Sequence, residues 1–318
     1  MTGGAGYIGS HACKALAAKG YVPITYDNLS RGNFWAVKWG PLEKGDIGDP
    51  QRLRAVLQKY QVRGLMHFAA YAYVAESVEQ PLLYYKNNFA NTAVLLQTLI
   101  DFQGIPTVFS SSCTTYGVPE RVPISEDDPQ RPINPYGYSK LFVERMLADL
   151  NLAYGLPWIA LRYFNAAGAD PNGEIGEAHD PETHLIPLAL VAARTGRPLR
   201  IFGDDYDTPD GSCVRDYIHV SDIADAHVRA LDHLLNGGES CALNLANSRG
   251  YSVKEVIAAA EKVSGRSIRS EIAARRVGDP PVLIGDANRA RALLDWHPVR
   301  SDLKMQIADA WNWMKWRN

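Results

Sequence analysis

The sequence predicts an α/β fold: a doubly wound parallel sheet of the dinucleotide-binding type with a smaller C-terminal α/β domain. Three observations predict it. Gly3, Gly6 and Gly9 form a G-x-x-G-x-x-G turn that runs directly into Ala12, Leu16 and Ala17 at helical spacing. Strand-like apolar runs then alternate with helix-like ones, which implies right-handed crossovers and a sheet covered on both faces. Tyr136 and Lys140 fall four residues apart in a helical pattern opened by Asn134-Pro135. They therefore share one helix face, about 6 Å of rise apart.

The 318 residues are 46% hydrophobic and 21% charged, with a formal net charge of −2. A chain of this length buries a large core, in one big domain or two intimate ones. Its balanced charge argues against a nucleic-acid partner or an acidic membrane surface. Cys13, Cys113, Cys213 and Cys241 lie in no CxxC or Cys/His cluster. That pattern suits a reducing compartment and predicts neither a disulfide scaffold nor a zinc site. No apolar run reaches the roughly 18 residues a membrane span needs. No signal peptide is read, and the expected location is cytoplasmic.

The glycine turn lets backbone amides approach a pyrophosphate and uses a helix N-terminus as an anion site. Tyr21 to Tyr26 reads as a strand ending in Asp27. An acid there, about 20 residues beyond the turn, suits a ribose 2′-hydroxyl and repels a 2′-phosphate. NAD is favoured over NADP, although Arg31 in the next loop keeps NADP open. The strand that should precede the turn is reduced to Met1 and Thr2, so the first strand is read as absent. In such a sheet that strand is central, and its loss is expected to be severely destabilising. Met1 is expected to take a Val-type strand position, read as a start because GTG can serve as an initiator codon. The upstream reading frame or the native intact mass tests this, and a native N-terminus at Met1 refutes it.

Leu42 to Ile47 holds a short strand ending at Asp46, and Pro50 to Tyr60 a helix with Leu53, Val56 and Leu57 on one face. Val62 to Ala70 is a strand whose small Ala69-Ala70 end suits a neighbouring cofactor. Pro81 to Gln103 is one long helix, and Thr107 to Phe109 a strand feeding Ser110, Ser111 and Ser112. Ser112 falls just past a strand's C-terminal end, where such sheets bind ligands, but a serine there also caps local backbone. Tyr beside Lys is a way to make a base. Bringing a phenol from a pKa of about 10 to near 7 needs about 4 kcal/mol. One positive charge about 4 Å away in an effective dielectric near 20 supplies about that.

TGGAGYIGSH, Asp27, Asp46-Ile47, HFAA, Tyr84-Tyr85-Lys86-Asn87-Asn88, SSSCTTYG and PYGYSK, in this order and spacing, resemble the extended short-chain dehydrogenase/reductase superfamily. The resemblance implies a Rossmann-type NAD-binding domain and a catalytic triad of Tyr136, Lys140 and Ser112.

In the second half, Pro157 to Tyr163 is a strand running into Phe164-Asn165. A helix follows at Leu185 to Thr195, then a short strand at Leu199 to Gly203. Asp204 to Gly211 mimics part of a calcium loop, but Pro209 interrupts it and no Glu closes it, so no metal is expected. Val214 to Val220 follows, and His219 is read as a hydrogen-bonded strand residue. Ser221 begins a helix to Leu235, Cys241 to Ala246 is a strand, and Ser252 to Glu255 is a capping box for a helix to Val263. Arg275 to Pro280 is a loop with two guanidiniums and a carboxylate. Trp311, Trp313, Met314 and Trp316 mark a packed terminal helix.

RYFNAAGA, HLIP, IFGDDYDTPDG, VRDYIHV and RRVGDPP narrow the resemblance to the UDP-glucose 4-epimerase family, from Thr2 to the Trp-rich end. It implies that residues 1–165 bind NAD and 166–318 mainly a UDP-sugar, with about 210–235 returning to the first domain. Gly3, Gly6, Tyr7-Ile8, Gly9, Asp27-Asn28, Asp46-Ile47, Phe68-Ala69-Ala70, Asn87, Tyr136, Lys140 and Phe164 would contact NAD. Asn165, Arg215 and Arg276 would meet the diphosphate or sugar, Asp279 the uridine ribose, and Arg200-Ile201-Phe202 the uracil. Tyr136 would take the proton of the sugar 4-hydroxyl while C4 gives hydride to NAD. Lys140 would hold the nicotinamide ribose and, with the cationic nicotinamide ring, depress the Tyr136 pKa, and Ser112 would hydrogen-bond the reacting oxygen.

Three positions depart from the family's pattern. Ala72 stands where Lys is usual, His184 stands before Leu185 where Asn is usual, and Leu283 stands where Tyr or a smaller residue lines the sugar pocket. Preference among UDP-hexoses, UDP-N-acetylhexosamines and UDP-pentoses therefore stays open. A sugar 4,6-dehydratase would need Asp-Glu where Thr114-Thr115 stand. A non-catalytic NAD-binding sensor would tend to lose the Tyr/Lys pair. The family is commonly dimeric, and helices 81–103 and 135–154 are the expected homodimer interface.

Overall fold

The computed structural model describes residues 1–102, 104–276 and 279–316. Gln103, at the predicted end of the long helix, and Val277-Gly278, inside the two-arginine loop, lie outside the described residues. So does the Trp316 side chain.

The chain begins with the glycine turn and helix α1 (Tyr7–Ala18), then β1 (Thr25–Asp27), β2 (Leu42–Lys44), α2 (Pro50–Tyr60) and β3 (Leu65–His67). Next come α3 (Val74–Glu79), α4 (Pro81–Tyr84), a π-helical stretch at Tyr85–Ala90, α5 (Asn91–Asp101), β4 (Thr107–Ser112) and α6 (Pro135–Tyr154). β5 (Trp158–Tyr163), β6 (Asn165–Ala167), α7 (Leu185–Thr195), β7 (Leu199–Phe202), β8 (Val214–His219) and α8 (Val220–Leu235) come after them. The chain finishes with β9 (Cys241–Leu245), β10 (Gly250–Ser252), α9 (Val253–Ser264), β11 (Ser270–Ala273), β12 (Val282–Leu283), α10 (Asn288–Leu294) and α11 (Leu303–Trp316).

Strands β3, β4, β5 and β9 form a parallel sheet in that order, and β1 pairs in parallel with β2. The gap between β1 and β3 is bridged by Thr2, which pairs in parallel with both Tyr26 and His67. Thr2 N–H donates to Met66 O (3.1 Å), Phe68 N–H to Thr2 O (2.9 Å) and Tyr26 N–H to Met1 O (2.8 Å). The first-strand position is thus held by two residues, and the Met1 amino group, which donates to Ile24 O, adds a further link.

The helix caps are those the sequence calls for. Asn134 accepts from Gly137 N–H at the start of α6, with Pro135 in the first turn, and Gly155 ends it at φ +68°. The predicted capping box at Ser252 and Glu255 is present. The predicted continuous helix 81–103 is instead broken into α4, the π stretch and α5. A π turn inserts one residue per turn and so rotates the face that α5 presents, a feature frequent at functional sites.

Three apolar clusters hold the elements. The first sits between the main sheet and α1, α8 and α10, centred on Ile159, Leu161, Ile218 and Trp296. The second packs α7, α9 and α11 around Leu190, Val256 and Ile307. The third lies on the opposite face of the sheet, under α2, α5 and α6. β8 pairs with β6, β10 and β12, a second small sheet beside the first. β7 and β11 form a third.

Candidate active site

The C-terminal ends of the main strands, the glycine turn and the C-terminal segments enclose one continuous cavity of about 1080 Å³. Every residue singled out above for cofactor, substrate or catalysis lines it except Asp46. Asp46 instead accepts from Asn28 Nδ2 (2.8 Å), Gly48 N–H (2.8 Å) and Asn91 Nδ2 (3.3 Å), so its carboxylate braces the loop that presents Asn28 and Ile47.

The turn's glycines have distinct reasons. Gly3 has φ +73°, and a Cβ there would stand 2.5 Å from Ala69 N. A Cβ on Gly9 would stand 2.2 Å from Gly3 O, so the helix could not pack on the turn. Gly6 is the N-cap of α1 and no side chain caps that end, which leaves N–H groups directed at the cavity. Asp27 closes β1, accepts from Ala5 N–H (3.0 Å) and Leu29 N–H (2.8 Å), and burial raises its pKa. An uncapped helix start, a glycine turn and a carboxylate at the next strand end fit a dinucleotide pyrophosphate and its ribose. Arg31 pairs with Glu76 (2.6 Å) and lies over the rings of Tyr71 (5.3 Å) and Tyr73 (5.2 Å). The cation that kept NADP open is therefore committed to a carboxylate.

At the cavity's centre, α6 presents Tyr136 and Lys140 beside Ser112 at the end of β4. All three are more than nine-tenths buried. Lys140 Nζ donates to Ser110 O (2.6 Å) and lies 5.7 Å from the Tyr136 ring centroid. Burial lowers its pKa to about 7, and the carboxylate of Glu144, one turn along α6, opposes that fall. Burial pushes Tyr136 up to about 12, while a hydrogen bond from Ser112 pulls the other way. The ammonium is turned to a backbone carbonyl, and the phenol's burial dominates. Ser112 also accepts from Thr114 N–H (3.2 Å) and Oγ1 (3.0 Å), so it is both a cap and a cavity group.

The far end of the cavity is cationic. Arg215 Nη2 pairs with Asp279 Oδ1 (2.5 Å), and Leu283 sits beside Arg215 in register on β12. Arg276 stacks over Phe202 at 4.0 Å, while Arg275 pairs outward with Asp205 (2.7 Å). Asn165 donates to Asp216 O (3.2 Å). His184 is the N-cap residue of α7, with Leu185 opening the helix.

Some groups went unread in the sequence. Helix α3 and Tyr71, Tyr73 and Val74 form a wall of the cavity. Glu177 and His179 also line it, and Glu177 pairs with both His179 and His184. The crowding of Glu177, His179, Glu182 and His184 into eight residues was the available signal. Arg162 and Glu144 form a buried bidentate pair behind Lys140, signalled only by Glu144 lying four residues beyond it.

The model of the NAD dependent epimerase/dehydratase family matches residues 1–246. A UDP-glucose 4-epimerase of Rhizobium meliloti is 53% identical over 319 aligned positions, covering 100% of this chain and 97% of that one. The crystal structure of UDP-glucose 4-epimerase from Brucella ovis in complex with NAD is 52% identical, with a TM-score of 0.95, over 98% of this chain and 96% of that one. That from Bifidobacterium longum in complex with NAD+ and UDP is 37% identical, with a TM-score of 0.93, over 99% and 97%.

Proposed function

We propose, since the chain belongs to the NAD dependent epimerase/dehydratase family, that it interconverts UDP-glucose and UDP-galactose through a transient 4-keto sugar. The observation that carries this is the single cavity that runs from the glycine turn, past Tyr136, to the arginine-rich end.

NAD, when bound, would supply the hydride acceptor for C4. The turn and uncapped start of α1 hold its pyrophosphate, and Asp27 takes the adenosine ribose hydroxyls. Tyr136 removes the 4-hydroxyl proton, Ser112 hydrogen-bonds the reacting oxygen, and Lys140 binds the nicotinamide ribose. Arg215, Arg276, Asn165 and His184 anchor the diphosphate and sugar, Asp279 meets the uridine ribose, and the Arg200–Phe202 strand edges the uracil. An anchor at the diphosphate leaves the keto sugar free to turn its other face, and no net redox results. Leu283 is the position at which this pocket's choice among UDP-hexoses, UDP-N-acetylhexosamines and UDP-pentoses is decided, and Ala72 offers no lysine for a phosphate contact. Residues 1–165 serve NAD and 166–318 mainly the sugar nucleotide, with about 210–235 returning to the first part.

No described helix is long and apolar enough to cross a membrane; a cytoplasmic location is part of the proposal. So is a homodimer through helices 81–101 and 135–154, where Leu82, Tyr138 and Phe142 are exposed. Monomeric mass by light scattering refutes it.

The experiment is to give the purified protein UDP-galactose without added NAD and follow UDP-glucose. Tyr136→Phe is expected to cut turnover by about 100-fold or more, as loss of a general base does. A fully active Phe variant overturns the assignment. No turnover by the wild type, even with NAD added, leaves the non-catalytic sensor.

A further inference from the structure

Among the described residues, the segment between β6 and α7 gathers four titratable groups, Glu177, His179, Glu182 and His184, of which all but Glu182 line the cavity. Glu177 Oε1 lies 2.9 Å from His179 Nδ1 and 2.6 Å from His184 Nδ1, and the Glu177 side chain is only 7% exposed. One carboxylate oxygen therefore accepts from two imidazoles. Glu182 Oε1 stands behind, 3.3 Å from His184 Nδ1. The backbone of this acid is fixed as well: Trp313 Nε1 on the terminal helix donates to Glu177 O (3.0 Å). His179 is packed edge-on between Tyr7 of the glycine turn (6.2 Å) and Tyr73 (5.8 Å).

With Nδ1 committed to Glu177, the remaining polar atom of His184 is Nε2, on a ring that lines the cavity at the start of α7. The four side chains could in principle gather a cation, since their ligand atoms lie within 4.8 Å of one another. The separations speak against it. Ligands at about 2.0–2.1 Å from one zinc in a tetrahedron stand roughly 3.4 Å apart, whereas Glu177 Oε1 lies at hydrogen-bond length from both rings, 2.9 and 2.6 Å.

We propose that Glu177 is a positioning residue of the substrate site: it holds His184 as a doubly protonated ring whose Nε2–H faces the substrate's diphosphate. This rests on the sugar-nucleotide reading above. Two further observations agree with it. Against the burial that lowers it, the carboxylates of Glu177 and Glu182 raise the His184 pKa above its ordinary value, and the two imidazoles hold the Glu177 carboxyl below its own. Among the described residues, the charged and titratable groups paired with His184 are these two acids, with His179 beyond Glu177 at a ring separation of 5.1 Å. An isolated His would lose its proton near its ordinary value of about 6.5. Glu177 thus keeps a cation at the diphosphate across the neutral range, next to the positive end of α7.

The test measures UDP-glucose affinity by calorimetry, and KM and kcat for UDP-galactose, on the NAD-containing protein at about pH 6 and pH 8.5. Wild type is expected to bind equally at both. Glu177→Gln is expected to match it at the lower pH and to bind roughly tenfold more weakly at the higher, in KM rather than kcat, as loss of one charge-assisted contact does. His184→Gln, which lacks the titrating ring, should be weaker at both and show no pH dependence. A Glu177→Gln protein with wild-type affinity at both pH values, or with an equal loss at both, overturns the proposal. So does a loss confined to kcat, or binding that requires added zinc. If Glu177→Gln does not fold, wild-type affinity in His184→Gln overturns it. The binding arm reads out without turnover, so absent epimerase activity refutes the functional reading and leaves this one measured.

Discussion

Arg162→Met is the substitution whose consequences the structure defines most fully. Arg162 on β5 and Glu144 on α6 are each about 95% buried, and the guanidinium meets the carboxylate through Nε (3.0 and 3.1 Å) and Nη2 (2.6 Å). The carboxylate also accepts from Ser111 and from Gln130 Nε2 (2.9 Å), and Arg162 Nη1 donates to Tyr116 (2.8 Å). Methionine fills much of the arginine stem but leaves Glu144 a buried charge without its cation, a loss of about 3–5 kcal/mol. At about 2.1 cal/mol/K of unfolding entropy per residue, this lowers the melting temperature by about 5–7 °C. Adding Glu144→Gln removes the orphan charge while its amide oxygen still accepts from Ser111, and most of the melting temperature returns. Activity does not return with it. Glu144 is what opposes the fall that burial imposes on the Lys140 pKa. Without Glu144 that pKa falls further, and turnover drops severalfold at pH 7. Thermal unfolding monitored by circular dichroism from pH 5 to 8, with rates on the same samples, checks both halves. A single variant within about 1 kcal/mol of wild type, or a double variant fully active at pH 7, refutes the reasoning.

Lys140→Met is expected to abolish turnover yet raise the melting temperature of NAD-stripped protein at pH 7. The folded pKa lies below the unfolded one, so burying this ammonium opposes folding most below pH 7 and the penalty disappears as pH approaches 10.5. The gain over wild type should therefore shrink between pH 7 and 10; a pH-independent difference refutes the assignment. Tyr136→Phe should leave NAD content and melting temperature near wild type while removing turnover, which separates chemistry from folding.

The sequence by itself determined the local features. Glycine spacing, the Asp27 strand end, the caps at Asn134 and Ser252 and the shared face of Tyr136 and Lys140 depend on residues within a few turns of one another. Alternating periodicity carried the doubly wound class, because a strand covered on both faces must be apolar wherever it runs. Tertiary structure decided what no local spacing encodes. Thr2 stitches β1 to β3 through backbone bonds that any residue but proline could make. The π turn before α5 breaks a helix whose apolar period looked continuous. Asp46 turns inward to Asn28 because its partners come from another loop and another helix. Lys140 donates to Ser110 O rather than to the phenol beside it in sequence, because the strand end approaches that closely. Arg215 meets Asp279, and Arg162 meets Glu144, across separations that only packing closes. Local chemistry marked which side chains could react; burial and long-range pairing fixed the charge each one carries.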